Sequence, residues 1–121
     1  MPTTDQIDVF FTYRVLDQDL FEQYVATVLP VTEKEEPYVL EYTLARSADG
    51  TTILQHERYE NEEAIARHLD RTADGQKMWG GSTELTDIRF VGPLSEKFRA
   101  ENNAALGSIA SWWDRYQAIA R

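Results

Sequence analysis

The stretch IDVFFTYRV, residues 7–15, constrains this chain most. Ile7, Val9, Phe11, Tyr13 and Val15 fall on one side of an extended backbone, and Asp8, Thr12 and Arg14 on the other. That period of two is satisfied by a half-buried strand, with its apolar side on a core. The period then changes at once. Leu20, Phe21, Tyr24, Val25, Val28 and Leu29 follow the 3, 4, 7, 8 spacing of an amphipathic helix. Asp17 or Asp19 can cap its start, and Pro30 limits its regular continuation, though the first residues of the charged VTEKEEP segment can prolong it.

Two more strands follow. YVLEYTLAR places Tyr38, Leu40, Tyr42 and Leu44 on one face, SADG supplies a hairpin turn, and TTILQHERY returns antiparallel. Asn61 then caps a second helix, where Glu62 and Glu63 suit the positive end of the helix dipole. Ala64, Ile65, His68 and Leu69 are its inner stripe. TADGQKMWGGS reads as irregular, with Met78 and Trp79 tucked onto the body. TDIRFVGP is a fourth strand, stopped by Gly92-Pro93. The order is β-α-β-β-α-β, so the expected class is α+β with a ferredoxin-like domain. Ser95 can cap one more helix. If continuous from Glu96 to Arg121 it would be roughly 39 Å long. Phe98, Ala105, Ile109, Trp112, Tyr116 and Ile119 lie near one stripe of it, and Gly107 can bend it. The expected division is residues 1–95 as the ferredoxin-like unit and 96–121 as a helical extension of the same domain, suited to an interface.

Charge and composition exclude several functions. Acidic residues number 21 against 12 basic ones, for a net charge of −9. Such a surface repels nucleic-acid phosphates and anionic membranes, and no basic cluster offsets it. There is no cysteine, hence no disulfide, thiolate metal site or cysteine nucleophile. The N-terminus lacks the basic and apolar regions of a signal peptide, so the expected location is cytoplasmic. No glycine-rich phosphate loop and no nucleophile elbow is present.

The chain has two histidines, His56 and His68. On the third strand His56 shares a face with Leu54 and Arg58, whereas Ile53, Gln55, Glu57 and Tyr59 share the other. Strand parity therefore separates His56 from Glu57, and no metal-ligating spacing links the two histidines. No metal site is expected. His68 reads either as a packed, hydrogen-bonded residue or as a base. Glu57 reads either as a hydrogen-bond partner that fixes His68 or a backbone group, or as a group that orients His68 and raises its basicity. The Glu33, Glu35, Glu36 run reads as a solvated turn.

The pattern Glu57, Tyr59, Asn61, Ala64, Ile65, His68 resembles the strand-to-helix signature of the antibiotic biosynthesis monooxygenase family, over roughly residues 5–95. That resemblance implies a dimeric α+β barrel with a cleft between helices and sheet. Its members include cofactor-free oxygenases of quinols and anthrones, and haem-degrading enzymes. The haem-degrading branch carries an asparagine on the first strand and a tryptophan on the second helix. This chain has Tyr13 and His68 there, so that branch is set aside and no cofactor is expected. The implied activity is a cofactor-independent monooxygenase acting on a small phenolic, quinol or polyketide-like aromatic substrate with O₂. The alternative is a non-oxidative binding protein, isomerase or cyclase on the same homodimeric scaffold. The implied catalytic residues are His68 as base and Glu57 as its orienting partner. Phe11, Tyr13, Tyr42, Tyr59 and Trp79 are the candidates for substrate binding.

Overall fold

A computed structural model of the chain describes residues 5–119. The first four residues of the unit expected from residue 1, and the helix end expected at Arg121, lie outside them. Strand β1 (Ile7–Val15) leads into helix α1 (Gln18–Glu35), followed by β2 (Val39–Arg46), β3 (Thr52–Tyr59) and α2 (Glu62–Arg71). Helix α3 (Ala73–Ser82), β4 (Thr83–Val91), α4 (Glu96–Leu106), one 3₁₀ turn and β5 (Ala110–Trp113) complete the elements of the described residues. The sheet order is β2-β3-β1-β4-β5. Its first four strands pair antiparallel, and the fold is the expected ferredoxin-like α+β arrangement. No described helix is long and apolar enough to cross a membrane.

The caps act as the sequence implies. Asp17 accepts from Leu20 N at 3.1 Å, Asn61 from Ala64 N at 3.0 Å, and Ser95 from Phe98 N at 3.1 Å. Each satisfies one of the backbone N–H groups orphaned at a helix start. Helix α1 runs through Pro30, which is solvent-facing, and ends at Glu35. Losing one hydrogen bond on the outer side of a long, well-packed helix does not stop it.

Four expectations need correction. Residues 73–82 are helical, not irregular. Three glycines obscure this, and Gly75 has a packing reason: a Cβ there would overlap Val28 Cγ2 on α1. Leu40 does not share the inner face of β2. The register shifts between Val39 and Glu41, and Leu40 is left 45% exposed. A single extra residue reverses the parity of what precedes it.

The C-terminal helix is present but short. Gly107 adopts φ +61°, a left-handed conformation that ends α4 at Leu106. The stripe expected on its second half is instead split across β5. Trp112 turns inward and stacks on Phe90 at 4.5 Å, while Trp113 stays half exposed and Tyr116 is almost fully so. Strand β5 runs parallel to β4 and covers its open edge. Gly92 is required at this junction, because a Cβ at its φ of +132° would meet Gln6 O at 2.7 Å. The remaining correction concerns Glu36, which is 1% exposed and not a solvated turn residue.

The helices cover one face of the sheet. Val9 and Tyr13 of β1, Ile53, Glu57 and Tyr59 of β3, and Ile88 and Phe90 of β4 are buried beneath them. The opposite face carries Phe10, Leu54, His56, Arg89 and Trp113, and no residue of a described helix lines the cleft there.

Candidate active site

Pairing register brings the polar residues of the inner face together. Glu57 of β3 sits opposite Val9 of β1 and Tyr42 of β2, and Gln55 sits opposite Phe11 and Leu44. Two buried polar residues in phase on one strand need partners, and here they find each other. Gln55 Nε2 donates to Glu57 Oε2 at 2.5 Å, and the Tyr59 hydroxyl donates to Glu57 Oε1. Tyr13 donates to Gln55 Oε1 at 2.5 Å, which fixes the amide orientation. The same Nε2 reaches the Tyr24 hydroxyl at 3.2 Å, and Tyr24 shares a hydrogen bond with Tyr42. The result is one connected network of four phenols, an amide and a carboxyl.

Burial sets its electrostatics. Desolvation pushes the Glu57 carboxyl above the ordinary carboxylate range. His68 and the donors Tyr59 and Gln55 oppose the rise without cancelling it. Burial likewise raises all four phenols, with Glu57 adding to the rise in each, so the tyrosines stay neutral hydrogen-bond donors. A carboxyl that is easier to protonate than usual can act as an acid or base nearer neutral pH.

Glu57 also lines a cavity of 530 Å³ between the sheet and the helices. Val9, Phe11, Leu85, Ile88 and Phe90 form its apolar floor, with Gln55, Glu57 and Tyr59 as the polar strip. Ile65 and Leu69 of α2 and Trp79 of α3 form the sides, and Phe98, Asn102 and Leu106 of α4 complete the wall. A mostly apolar space of this size with a few convergent polar groups suits a small flat ligand. Glu62, Glu63, Lys97 and Glu101 stand among the lining residues contributed by the two helix starts. Glu62 accepts from Ser95 N at 2.7 Å and from Ser95 Oγ at 3.0 Å, tying the start of α4 to the start of α2.

The residues expected from the sequence divide into two groups. Glu57, Tyr59, Phe11 and Trp79 line the cavity. Tyr13 and Tyr42 do not; they belong to the network behind it. His68 does not line the cavity either. It is 1% exposed and packs against the rings of Tyr42 and Tyr59 at 5.6 and 5.8 Å. Its hydrogen-bond partner is not Glu57 but Glu36, with Nδ1 and Oε1 2.9 Å apart. The expectation that Glu57 holds His68 by a hydrogen bond is therefore corrected.

Sequence reasoning passed over Gln55, Tyr24 and Glu36. For Gln55 the signal was available, since it lies two residues before Glu57 on the same strand face. Tyr24 lay within the inner stripe of α1. For Glu36 no local signal exists.

His56 behaves as its parity implies. It lies on the helix-free face, its Nε2 2.6 Å from Asp8 and its Nδ1 2.9 Å from Glu41. Asp8 also accepts from Arg58 Nε at 2.9 Å and Arg115 Nη2 at 2.5 Å. Among the described residues, no group of three or more His, Asp or Glu side chains is arranged to hold a metal ion.

No family model matches the chain, and no curated protein matches it in sequence. Solved structures do match in fold. MupZ from Pseudomonas fluorescens is 18% identical, with a TM-score of 0.74 over 97% of this chain and 95% of its own. SnoaB, a cofactor-independent oxygenase from Streptomyces nogalater, is 14% identical, with a TM-score of 0.61 over 75% of this chain and 95% of its own. A candidate antibiotic biosynthesis monooxygenase from Caulobacter crescentus is 20% identical, with a TM-score of 0.61 over 76% of this chain and 92% of its own. These likenesses establish the fold. The 97% match to MupZ leaves few residues unmatched, so it takes in most of the region beyond β4.

Proposed function

We propose that this chain is a cofactor-independent monooxygenase of a small phenolic, quinol or polyketide-like aromatic substrate, with Glu57 as its base. The observation that carries the reading is Glu57 itself: a buried carboxyl with a raised pKa, at the polar strip of an otherwise apolar cavity. Glu57 takes a proton from an acidic O–H or C–H of the substrate. The electron-rich anion then reduces O₂ directly. In the anthrone case a CH₂ becomes a C=O, one oxygen atom enters the product and the other leaves as water. The apolar walls keep bulk water from the anion. Phe11 and Trp79 pack against the ring system, and Tyr59 donates to Glu57. Similarity in fold to an enzyme that is itself a cofactor-independent oxygenase supports this reading.

A second reading has its own observation. The phenols around Glu57 are neutral donors, able to stabilise a developing oxyanion without any oxidant. A non-oxidative isomerase or cyclase would use the same cavity. Oxygen-electrode measurements with a panel of hydroquinones and anthrones separate the two. Uptake that depends on both protein and substrate supports the oxygenase; conversion of a panel member without uptake supports the alternative.

The assembly we propose is a homodimer formed through the helix-free face. There a cleft of 660 Å³ runs among Phe10, Leu54, His56, Arg89 and Trp113. Phe10, Leu54 and Trp113 are 41%, 60% and 52% exposed, a patch that a second copy would cover. Residues 96–121 act as part of the same domain, with α4 closing the cavity. A monomer at micromolar concentration in sedimentation would remove the dimer.

A further inference from the structure

The helix side of the cavity carries two polar side chains that the proposed chemistry leaves unused, Gln76 of α3 and Asn102 of α4. Both are half-buried, and each has one end of its amide already committed. The Thr72 hydroxyl donates to the carbonyl oxygen of His68 at 2.7 Å, which spends its one proton. Thr72 Oγ1 can then only accept, so Gln76 must offer it nitrogen, and Nε2 donates to it at 3.0 Å. The same reasoning holds on α4. Asn102 Nδ2 donates at 2.9 Å to the carbonyl oxygen of Phe98, which has no proton to give back. Which end of an amide is oxygen follows from the network around it, and each of these networks has one solution. Both nitrogens are tied to their own helices. Gln76 Oε1 and Asn102 Oδ1 are left over as acceptors.

These oxygens are not sealed in. Among the described residues the buried side-chain polar atoms without a partner are His68 Nε2 and Trp79 Nε1, and neither amide oxygen is one of them. An open acceptor in the wall of a mostly apolar cavity is a place for a ligand's O–H. The ties on the nitrogens hold the two side chains in place beforehand, which lowers the cost of binding. The charged lining residues narrow the choice of ligand. Glu57, Glu62, Glu63 and Glu101 stand against Lys97, whose side chain is 85% exposed and 4.0 Å from Glu101. A carboxylate on the ligand would meet oxygen lone pairs and like charges, with one solvated cation to offset them.

We propose that Gln76 and Asn102 are specificity-determining residues of the cavity, and that they select a neutral aromatic ligand with hydroxyl groups on its rings. Each amide oxygen accepts from one ring hydroxyl, while Glu57 on the sheet serves the reacting position. A methoxy group in place of a hydroxyl leaves its acceptor unpaired and adds bulk. The inference rests on the reading of this cavity as an aromatic-substrate site, and it names the substituents that the site reads.

The test is calorimetric binding of 2,3-, 2,6- and 2,7-dihydroxyanthraquinone, their dimethyl ethers, and anthraquinone-2-carboxylate, at a pH that keeps the ring hydroxyls protonated. These probes already carry the carbonyl that the proposed oxidation would install, so binding is read without turnover. At least one dihydroxy isomer should bind the wild type about tenfold more tightly than its ether and than the carboxylate. Gln76→Met and Asn102→Leu keep the bulk of each side chain and suit a helix. Each should weaken that isomer about threefold to tenfold, the net worth of one hydrogen bond, and leave its ether within about twofold. The ratio of the two affinities within one variant cancels any general loosening of the wall. Should one variant not fold, the other variant and the wild-type ratio decide. No isomer preferred over its ether, or equal weakening of both in the folded variants, would overturn the assignment and leave the cavity as an aromatic site. Binding of no probe removes the aromatic-substrate reading and this inference with it. Selective binding without oxygen uptake on the parent anthrones keeps the inference and removes the oxygenase.

Discussion

The two histidines lie on opposite sides of the sheet, His56 on β3 and His68 on the helix α2, and are treated oppositely. His56 is partly exposed and has a carboxylate at each nitrogen, Asp8 on one side and Glu41 on the other. Phe10 stacks flat on its ring at 4.5 Å. His68 is sealed from solvent, has a carboxylate at one nitrogen, and leaves the other unpartnered. A saturated imidazole is a structural tie, since every polar atom is already spent on the fold. A half-saturated one inside a low-dielectric cluster is held in a set orientation and keeps one nitrogen free.

The largest effect that sharpens this contrast should come from the carboxyl on the His68 side. Glu57→Gln is expected to lower turnover on any accepted anthrone or hydroquinone by roughly 10²–10⁴-fold, the usual worth of a general base. The oxygen electrode reads it. The same substitution should change stability in the opposite sense. A carboxyl whose folded pKa is raised binds a proton more tightly folded than unfolded. Its contribution is therefore fully present below the ordinary carboxylate range and lost as pH rises through its elevated value. Thermal melts of Glu57→Gln should lack that loss, so the variant should gain on the wild type at pH 8 relative to pH 4.

Next in size is the tie on the His56 side. Burial alone would raise Asp8, but hydrogen bonds from His56, Arg115 and Arg58 outweigh it and hold the carboxyl below its usual range. Removing a buried charge from its partners costs about 3 kcal/mol, so Asp8→Asn should lower the denaturation midpoint without altering ligand binding in the cavity. The sign is opposite to that of Glu57. A depressed carboxylate stabilises above its unfolded pKa, and this is lost as pH falls through the lower, folded value.

A smaller pair of effects tests the contrast head-on. His56→Gln should cost about 2 kcal/mol of stability and leave turnover intact, since it loses charge-assisted bonds on the helix-free face. His68→Gln should lower turnover, because the imidazole packs on Tyr42 and Tyr59 of the network around Glu57. Equal loss of turnover in both variants would break the distinction. Smallest of all, Tyr59→Phe removes one donor from Glu57 and should reduce turnover about tenfold, near the worth of one hydrogen bond. The pH profile should also move upward, because the Tyr59 hydrogen bond lowers the Glu57 pKa.

Much of this frame was legible in the sequence, for local reasons. The alternation of β1, the caps at Asp17, Asn61 and Ser95, and the switch of period at each helix are short-range signals. They gave the order of the first elements and put Glu57 and Tyr59 on the inner face and His56 on the other. What escaped depends on contacts distant in the chain. The glycines of α3 look like a loop until Gly75 is seen against Val28 of α1. The residues of β5 continue a helical stripe on paper, and only the left-handed Gly107 and the free edge of β4 make them a strand. Glu36 stands in a run of charges that resembles a solvated turn. Its burial follows from Thr32, Tyr38 and His68 closing on it, and His68 comes 32 residues later. The site was thus legible where one strand carries it, and hidden where α1 and α2 meet.

The most direct measurement is a crystal structure with an anthrone or its quinone product bound. The ligand should lie in the cavity between the sheet and helices α2, α3 and α4, its ring against Phe11 and Trp79 and an oxygen within hydrogen-bond reach of Glu57. A ligand seated instead on the helix-free face, beside His56, Phe10 and Trp113, would contradict the assignment of Glu57 as the reacting group.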